Sequence, residues 1–135
     1  MPIRKTLTQE GTFKTMRNMS FENVLIGWFM RDGWQVFKPV LDDGHQTDVL
    51  ISDGPNFYRI QVKTFEDKGT YQEVNKDWND NSIDCVIYFS RDSRYGYVAP
   101  AFREDKRLLE HPEHIRFSGT SNSFIKAFHK LEVKR

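Results

Sequence analysis

Three side chains in the middle of the chain have types and spacing suited to joint chemistry: Asp48, Gln61 and Lys63. Gln61 and Lys63 stand two apart in Phe57-Tyr58-Arg59-Ile60-Gln61-Val62-Lys63-Thr64, a run that reads as a strand. Their side chains therefore share one face while Ile60 and Val62 take the other. Asp48 opens the preceding strand, Thr47-Asp48-Val49-Leu50-Ile51, and Ser52-Asp53-Gly54-Pro55-Asn56 supplies the reversal between the two. A carboxylate, an amide oxygen and an ammonium thus converge. An Asp carboxylate and a nearby oxygen can hold Mg²⁺ while leaving it several waters, the coordination this ion prefers. A lysine beside them can orient a water or offset the charge that gathers on a phosphate.

Other elements must position these residues. Ser20 reads as an N-cap, followed by Phe21, Val24, Leu25, Trp28 and Phe29 at the spacing of one buried helical face, with Asp32-Gly33 as terminator. Glu22 falls at the edge of that face, one turn before Leu25 and Ile26. It either looks along the sheet toward the site or complements the helix dipole. A strand over Trp34–Val40 follows, closed by Pro39 and by Asp42-Asp43-Gly44-His45, whose acids read as turn formers beside glycine. Asp53 likewise belongs to its turn. Glu66-Asp67-Lys68 repeats an acid-x-Lys spelling after Asp48, but it lies beyond the strand, in a stretch without alternation, so Gln61 and Lys63 are preferred.

Asp48 followed by Gln61-x-Lys63, behind a helix bearing Glu22, resembles the PD-(D/E)XK nuclease superfamily. The wording from Arg59 to Thr64 and the Tyr97-x-x-Pro100 phrase are similar to the group I intron homing endonucleases of that type. Archaeal-type Holliday junction resolvases are further relatives. The resemblance covers Ser20 to about Phe102. Thr47 stands where the family often has Pro, and Gln61 where it usually has an acid.

The resemblance implies an α/β (α+β) fold with a restriction-endonuclease-like core, a mixed central sheet flanked by helices. It implies a Mg²⁺-dependent endonuclease acting on double-stranded DNA, with Mn²⁺ able to substitute. Asp48, Gln61, the Val62 carbonyl and Glu22 would hold the metal, with Lys63 serving the water or the transition state. Cutting both strands would call for a homodimer or homotetramer. A homing-type enzyme leads and a structure-selective junction resolvase is second. Other readings stay open: a nuclease fold that only binds DNA or protein, its Gln61 marking a lost site, or an α/β domain with polar residues at a sheet edge.

At 135 residues the chain reads as one domain, able to bury about two-thirds of its unfolded surface. No run of about 18 apolar residues and no basic-then-apolar leader is present, which points to an intracellular protein without a membrane span. Cys85, the single cysteine, excludes an internal disulfide. Residues 1–19 carry 4 Lys/Arg against 1 acid, residues 20–102 carry 8 against 13, and residues 103–135 carry 8 against 5. The acidic middle suits a metal-holding core. The basic N-terminal (1–19) and C-terminal (103–135) extensions suit phosphate contacts. Lys5, Lys14, Arg17, Lys38 and His45 are the candidate DNA-binding residues.

The remaining expectations are structural. Tyr71, Val74 and Trp78 suggest a short helix or irregular segment. Ile83–Phe89 is an internal strand with Cys85 as a packing residue, and Tyr95–Pro100 is its hairpin partner. A helix is expected through Lys106-Arg107-Leu108-Leu109. His111 and His114 are assigned no metal, because Pro112 between them breaks a helix. Ile115-Arg116-Phe117 adds an edge strand, and Ser123 caps a closing helix whose Phe124, Ile125, Phe128 and Leu131 face inward.

Overall fold

A computed structural model of the chain describes residues 1–41, 46–92 and 94–133. The turn formers Asp42 and Asp43, and the candidate DNA contact His45, lie outside the described residues. The first element is α1 (Glu10–Arg31), held by the buried stripe Phe21, Leu25 and Phe29. The expected start at Ser20 is ten residues late. Gly11 is accommodated in the first turn, and Ser20 lies inside the helix, donating its hydroxyl to the Arg17 carbonyl at 2.6 Å. Val24, expected to face the core, is 44% exposed. The expected stop is where the helix ends. Gly33, at φ +95°, donates its N–H to Met30, and Trp34 donates to Phe29, the paired bonds of a glycine-terminated helix.

The strands are β1 (Gln35–Phe37), β2 (Val49–Ser52), β3 (Phe57–Phe65), β4 (Glu73–Asn75), β5 (Cys85–Ser90), β6 (Tyr95–Pro100), β7 (Lys106–Leu108) and β8 (Ile115–Ser118), before α2 (Ser121–His129) closes the chain. Six of them form one sheet in the order β1-β2-β3-β5-β6-β8. The β3–β5 pair is parallel and the other neighbours are antiparallel, so the sheet is mixed. Both helices cover one face, where Phe21, Leu25, Phe29, Phe124 and Phe128 pack on Val49, Ile51, Ile60 and Ile87. The other face buries Val86, Tyr88 and Tyr97 beneath Val74, Trp78, Phe102 and Leu109. Every residue of β5 is buried, which explains its unbroken apolar reading.

Expectation and structure differ on the second face. Glu73–Asn75, within the stretch expected as a short helix or irregular segment, and Lys106–Leu108, expected as helix, pair with each other as a two-stranded antiparallel sheet, while the rest of the first stretch is irregular. Lys, Arg and Leu are good helix formers, but intrinsic propensity is small in energy and long-range pairing outweighs it. The cap of α2 is Thr120, whose hydroxyl accepts from the Ser123 N–H at 3.2 Å. Ser123 instead accepts from Ser118 N–H at 2.8 Å, tying the helix to the end of β8. Residues 103–133 are integrated into the molecule, with β8 as an edge strand and α2 in the core. Among the described residues, no helix is long and apolar enough to cross a membrane.

Candidate active site

The central sheet contains a fork. β2 pairs with Phe57–Ile60 of β3, whereas β5 pairs with Ile60–Phe65, so β3 parts from β2 at Gln61 and continues along β5 alone. Asp48 stands at the parting. Its N–H donates to the Ile60 carbonyl at 2.9 Å, and its carboxylate Oδ2 accepts from the Val62 N–H at 2.7 Å, replacing the ladder bond that β2 no longer supplies. A carboxylate held by a main-chain donor has a fixed direction.

Beyond the fork, Gln61 and Lys63 face the side of the sheet away from the helices, as the alternation requires. Gln61 is 8% exposed, and its Oε1 is buried with no hydrogen-bond partner among the described residues. Such an oxygen is costly unless something satisfies it. Lys63 is accessible and pairs through Nζ with Asp77 Oδ2 at 2.9 Å. Both line a cleft of about 300 Å³, together with Tyr88, the neighbour of Lys63 on β5. The Tyr88 hydroxyl is buried with no hydrogen-bond partner among the described residues, and burial pushes its pKa up.

Asp77 is the residue that sequence reasoning missed. It lies in the loop after β4, and that loop is anchored at several points. Gln46 Oε1 accepts from Asn79 N–H at 2.7 Å and from the Ser82 hydroxyl at 3.1 Å, Trp78 is buried against Phe102, and Lys76 pairs with Asp80. Gln46, two residues before Asp48, is in the left-handed region at φ +64°, so the same turn aims Asp48 and braces the loop that carries Asp77. An acid next to a tryptophan in a loop carries no local signal of this partnership.

Glu22 is on α1, which covers the opposite face of the sheet from Gln61 and Lys63. Trp28 leans toward β5 and β8, its ring 5.9 Å from Phe89 and 6.1 Å from Phe117. Helical geometry puts Glu22 on the other flank of the apolar stripe, toward β2. The fork is a gap in the sheet there. Among the candidate DNA contacts, Lys14 and Arg17 line a second cleft, against α1, while Lys5 and Lys38 are exposed elsewhere. His114 is buried, with its Nδ1–H donating to the Leu109 carbonyl at 2.9 Å, in the core of the second face.

Among the described residues, no three of His, Cys, Asp and Glu gather as a ready-made metal cluster. The donors at the fork are of another kind: a carboxylate, an amide oxygen and main-chain carbonyl oxygen. All are hard oxygen ligands suited to Mg²⁺, and the orphaned Gln61 Oε1 is the group that a cation would satisfy.

No protein-family model matches the chain, and no curated protein matches it. Among solved structures it is similar to a bacterial homing endonuclease, I-Ssp6803I, with a TM-score of 0.59 at 18% identity, over 85% of this chain and 90% of that one. The likeness is one of architecture: the chain has an endonuclease-like α+β fold.

Proposed function

We propose that the chain is a Mg²⁺-dependent DNA endonuclease of PD-(D/E)XK type, hydrolysing phosphodiester bonds as a sequence-recognising, homing-type enzyme. The observation that carries this reading is the fork, where a main-chain-anchored Asp48 and an unpartnered Gln61 oxygen lie beside an accessible Lys63. The same sheet architecture occurs in a homing endonuclease, which favours that reading over a junction resolvase.

Asp48, Gln61 and the Val62 carbonyl would hold the ion, with Glu22 acting from the helical side of the gap through a water. When bound, the ion would acidify a coordinated water and offset phosphate charge. Lys63 orients the attacking water or stabilises the charge of the pentavalent transition state, and Asp77 keeps its ammonium on the cleft wall. Mn²⁺ would substitute, since it favours similar oxygen ligands. The functional unit is a homodimer or homotetramer, because each chain offers one fork and a duplex has two strands to cut.

The experiment pairs the wild-type protein with Lys63→Ala on supercoiled plasmid and on a four-way junction, each with Mg²⁺ or EDTA. Metal-dependent cutting of duplex that disappears in the variant is expected. Preference for the junction would make the protein a resolvase. DNA binding without Mg²⁺ binding would make it a binding module.

A further inference from the structure

We infer that Arg91 joins the active-site cleft to the basic first half of α1 as one cationic track for a DNA backbone, taking a phosphate beside the one at Lys63. The inference rests on the proposed function in taking DNA as the partner.

Two clefts open on the surface around this residue. The first holds Lys63 and Lys68 beside Glu66, Glu73 and Asp77, and the second, of about 290 Å³, holds Phe13, Lys14, Arg17 and Phe21 of α1. Arg91 lines both. It follows the last residue of β5 and is fixed there by its own N–H, which donates to the Phe65 carbonyl at 2.9 Å. Its side chain is 41% exposed, yet its Nε is buried and has no hydrogen-bond partner among the described residues. The Glu66 carboxylate stands 3.8 Å away, an ion pair beyond hydrogen-bond reach. A half-exposed guanidinium held by a strand end between two openings, with no carboxylate in hydrogen-bond reach of its Nε, matches the geometry of phosphate recognition.

The second observation is α1 itself. Every residue from Glu10 to Ser20 is exposed, so the first half of a 22-residue helix buries no stripe against its own chain. Isolated helix of that length is marginal in water, and a partner that engages it offsets the cost. Its side chains state the kind of partner. Lys14 and Arg17 face the cleft with Arg91 against Glu10 alone, and the guanidinium groups of Arg4 and Arg17 flank the Phe13 ring at 5.8 and 5.7 Å. A cationic lining with stacked guanidinium groups fits a polyanion, and the sequence-independent part of DNA binding is of this kind.

The test is the salt dependence of binding to a fluorescently labelled mixed-sequence duplex, followed by anisotropy in EDTA so that no cleavage intervenes. Each phosphate contact removed is expected to lower the slope of log affinity against log salt by about 0.9. Arg91→Ala should lose about that slope and bind several-fold more weakly, and Lys14→Ala with Arg17→Ala should lose about twice as much. Arg91→Lys should retain most of both. Arg31→Ala removes a charge roughly 20 Å further along the helix from Arg17 and should keep the wild-type slope. If Arg91→Ala does not fold, as judged by its thermal melt, Arg91→Gln keeps the stem and serves instead.

A wild-type slope in Arg91→Ala and Arg91→Gln, or an equal loss in Arg31→Ala, overturns the track while leaving the endonuclease reading intact. Wild-type protein that binds DNA but does not bind Mg²⁺ at millimolar levels overturns the endonuclease reading, and the slopes still decide the track. Absence of binding by wild type overturns both.

Discussion

Asp48 does two jobs that a pair of substitutions can separate. It accepts the Val62 N–H, which is structural, and it would hold the metal, which is catalytic. Asp48→Asn keeps an acceptor for Val62 but loses the charge. It should melt within about 1 kcal/mol of wild type while cleaving at least about a hundredfold more slowly. Asp48→Ala should lose the same activity and a further 1–3 kcal/mol or so of stability, because a half-buried N–H is left unpaired. Thermal melts beside plasmid cleavage check both. Gln61→Glu should lower the Mg²⁺ concentration for half-maximal cleavage, since a charged ligand binds Mg²⁺ more tightly than an amide, and a metal titration reads this directly. Asp48, Gln61 and Lys63 were legible because strand alternation and one turn bring them together. Asp77 was not, since its pairing with Lys63 depends on how a distant loop is anchored. His114 makes a further prediction. Burial holds its pKa down at about 4, against an ordinary 6.5, with the hydrogen bond to the Leu109 carbonyl and Glu113 opposing the shift and Arg107 and His111 adding to it. The unfolded chain therefore binds the proton first. Stability is fully present above pH 6.5 and falls by no more than about 3 kcal/mol as pH drops to 4. Melts across that range should show the fall, and His114→Phe should flatten it.

At the level of elements, β6 carries a steric requirement that composition conceals. A Cβ on Gly96 would lie 2.2 Å from the Tyr88 carbonyl oxygen and 2.4 Å from the Phe117 ring, between the two strands that flank β6. Gly96→Ala should cost about 3 kcal/mol or more, since backbone cannot yield as a flexible side chain can. A denaturant titration measures it. The hairpin of β2 and β3 was readable because Asp53, Gly54 and Asn56 form a local turn, with Asn56 N–H donating to Asp53 Oδ1 at 2.9 Å. The β4–β7 pair was not, because its strands are three residues each and owe their form to partners more than thirty residues away. The start of α1 was hidden for a different reason: from Glu10 to Ser20 the helix has no buried stripe to leave a period in the sequence. That half should exchange its amide hydrogens faster than Leu25 to Arg31, and duplex DNA should slow it.

Among the described residues the fork occurs once, at the place where a mixed sheet changes from antiparallel to parallel pairing. The helices wall one face of that sheet and the small second sheet covers part of the other, where the cleft leaves Lys63 accessible. The strands of a duplex run in opposite directions, and one asymmetric site cannot engage both in the same way. A twofold pair of chains presents the fork twice with the required polarity. Supercoiled plasmid should therefore become linear without accumulating nicked circles when the protein is concentrated enough to pair. On dilution below that point, nicked circles should appear first and linear product later. A cleavage time course at graded protein concentrations, with sedimentation of the same samples, reads both quantities. Nicked circles at every concentration, from a protein that sediments as one chain, would remove the paired assembly from the mechanism, and each fork would then act on a single strand.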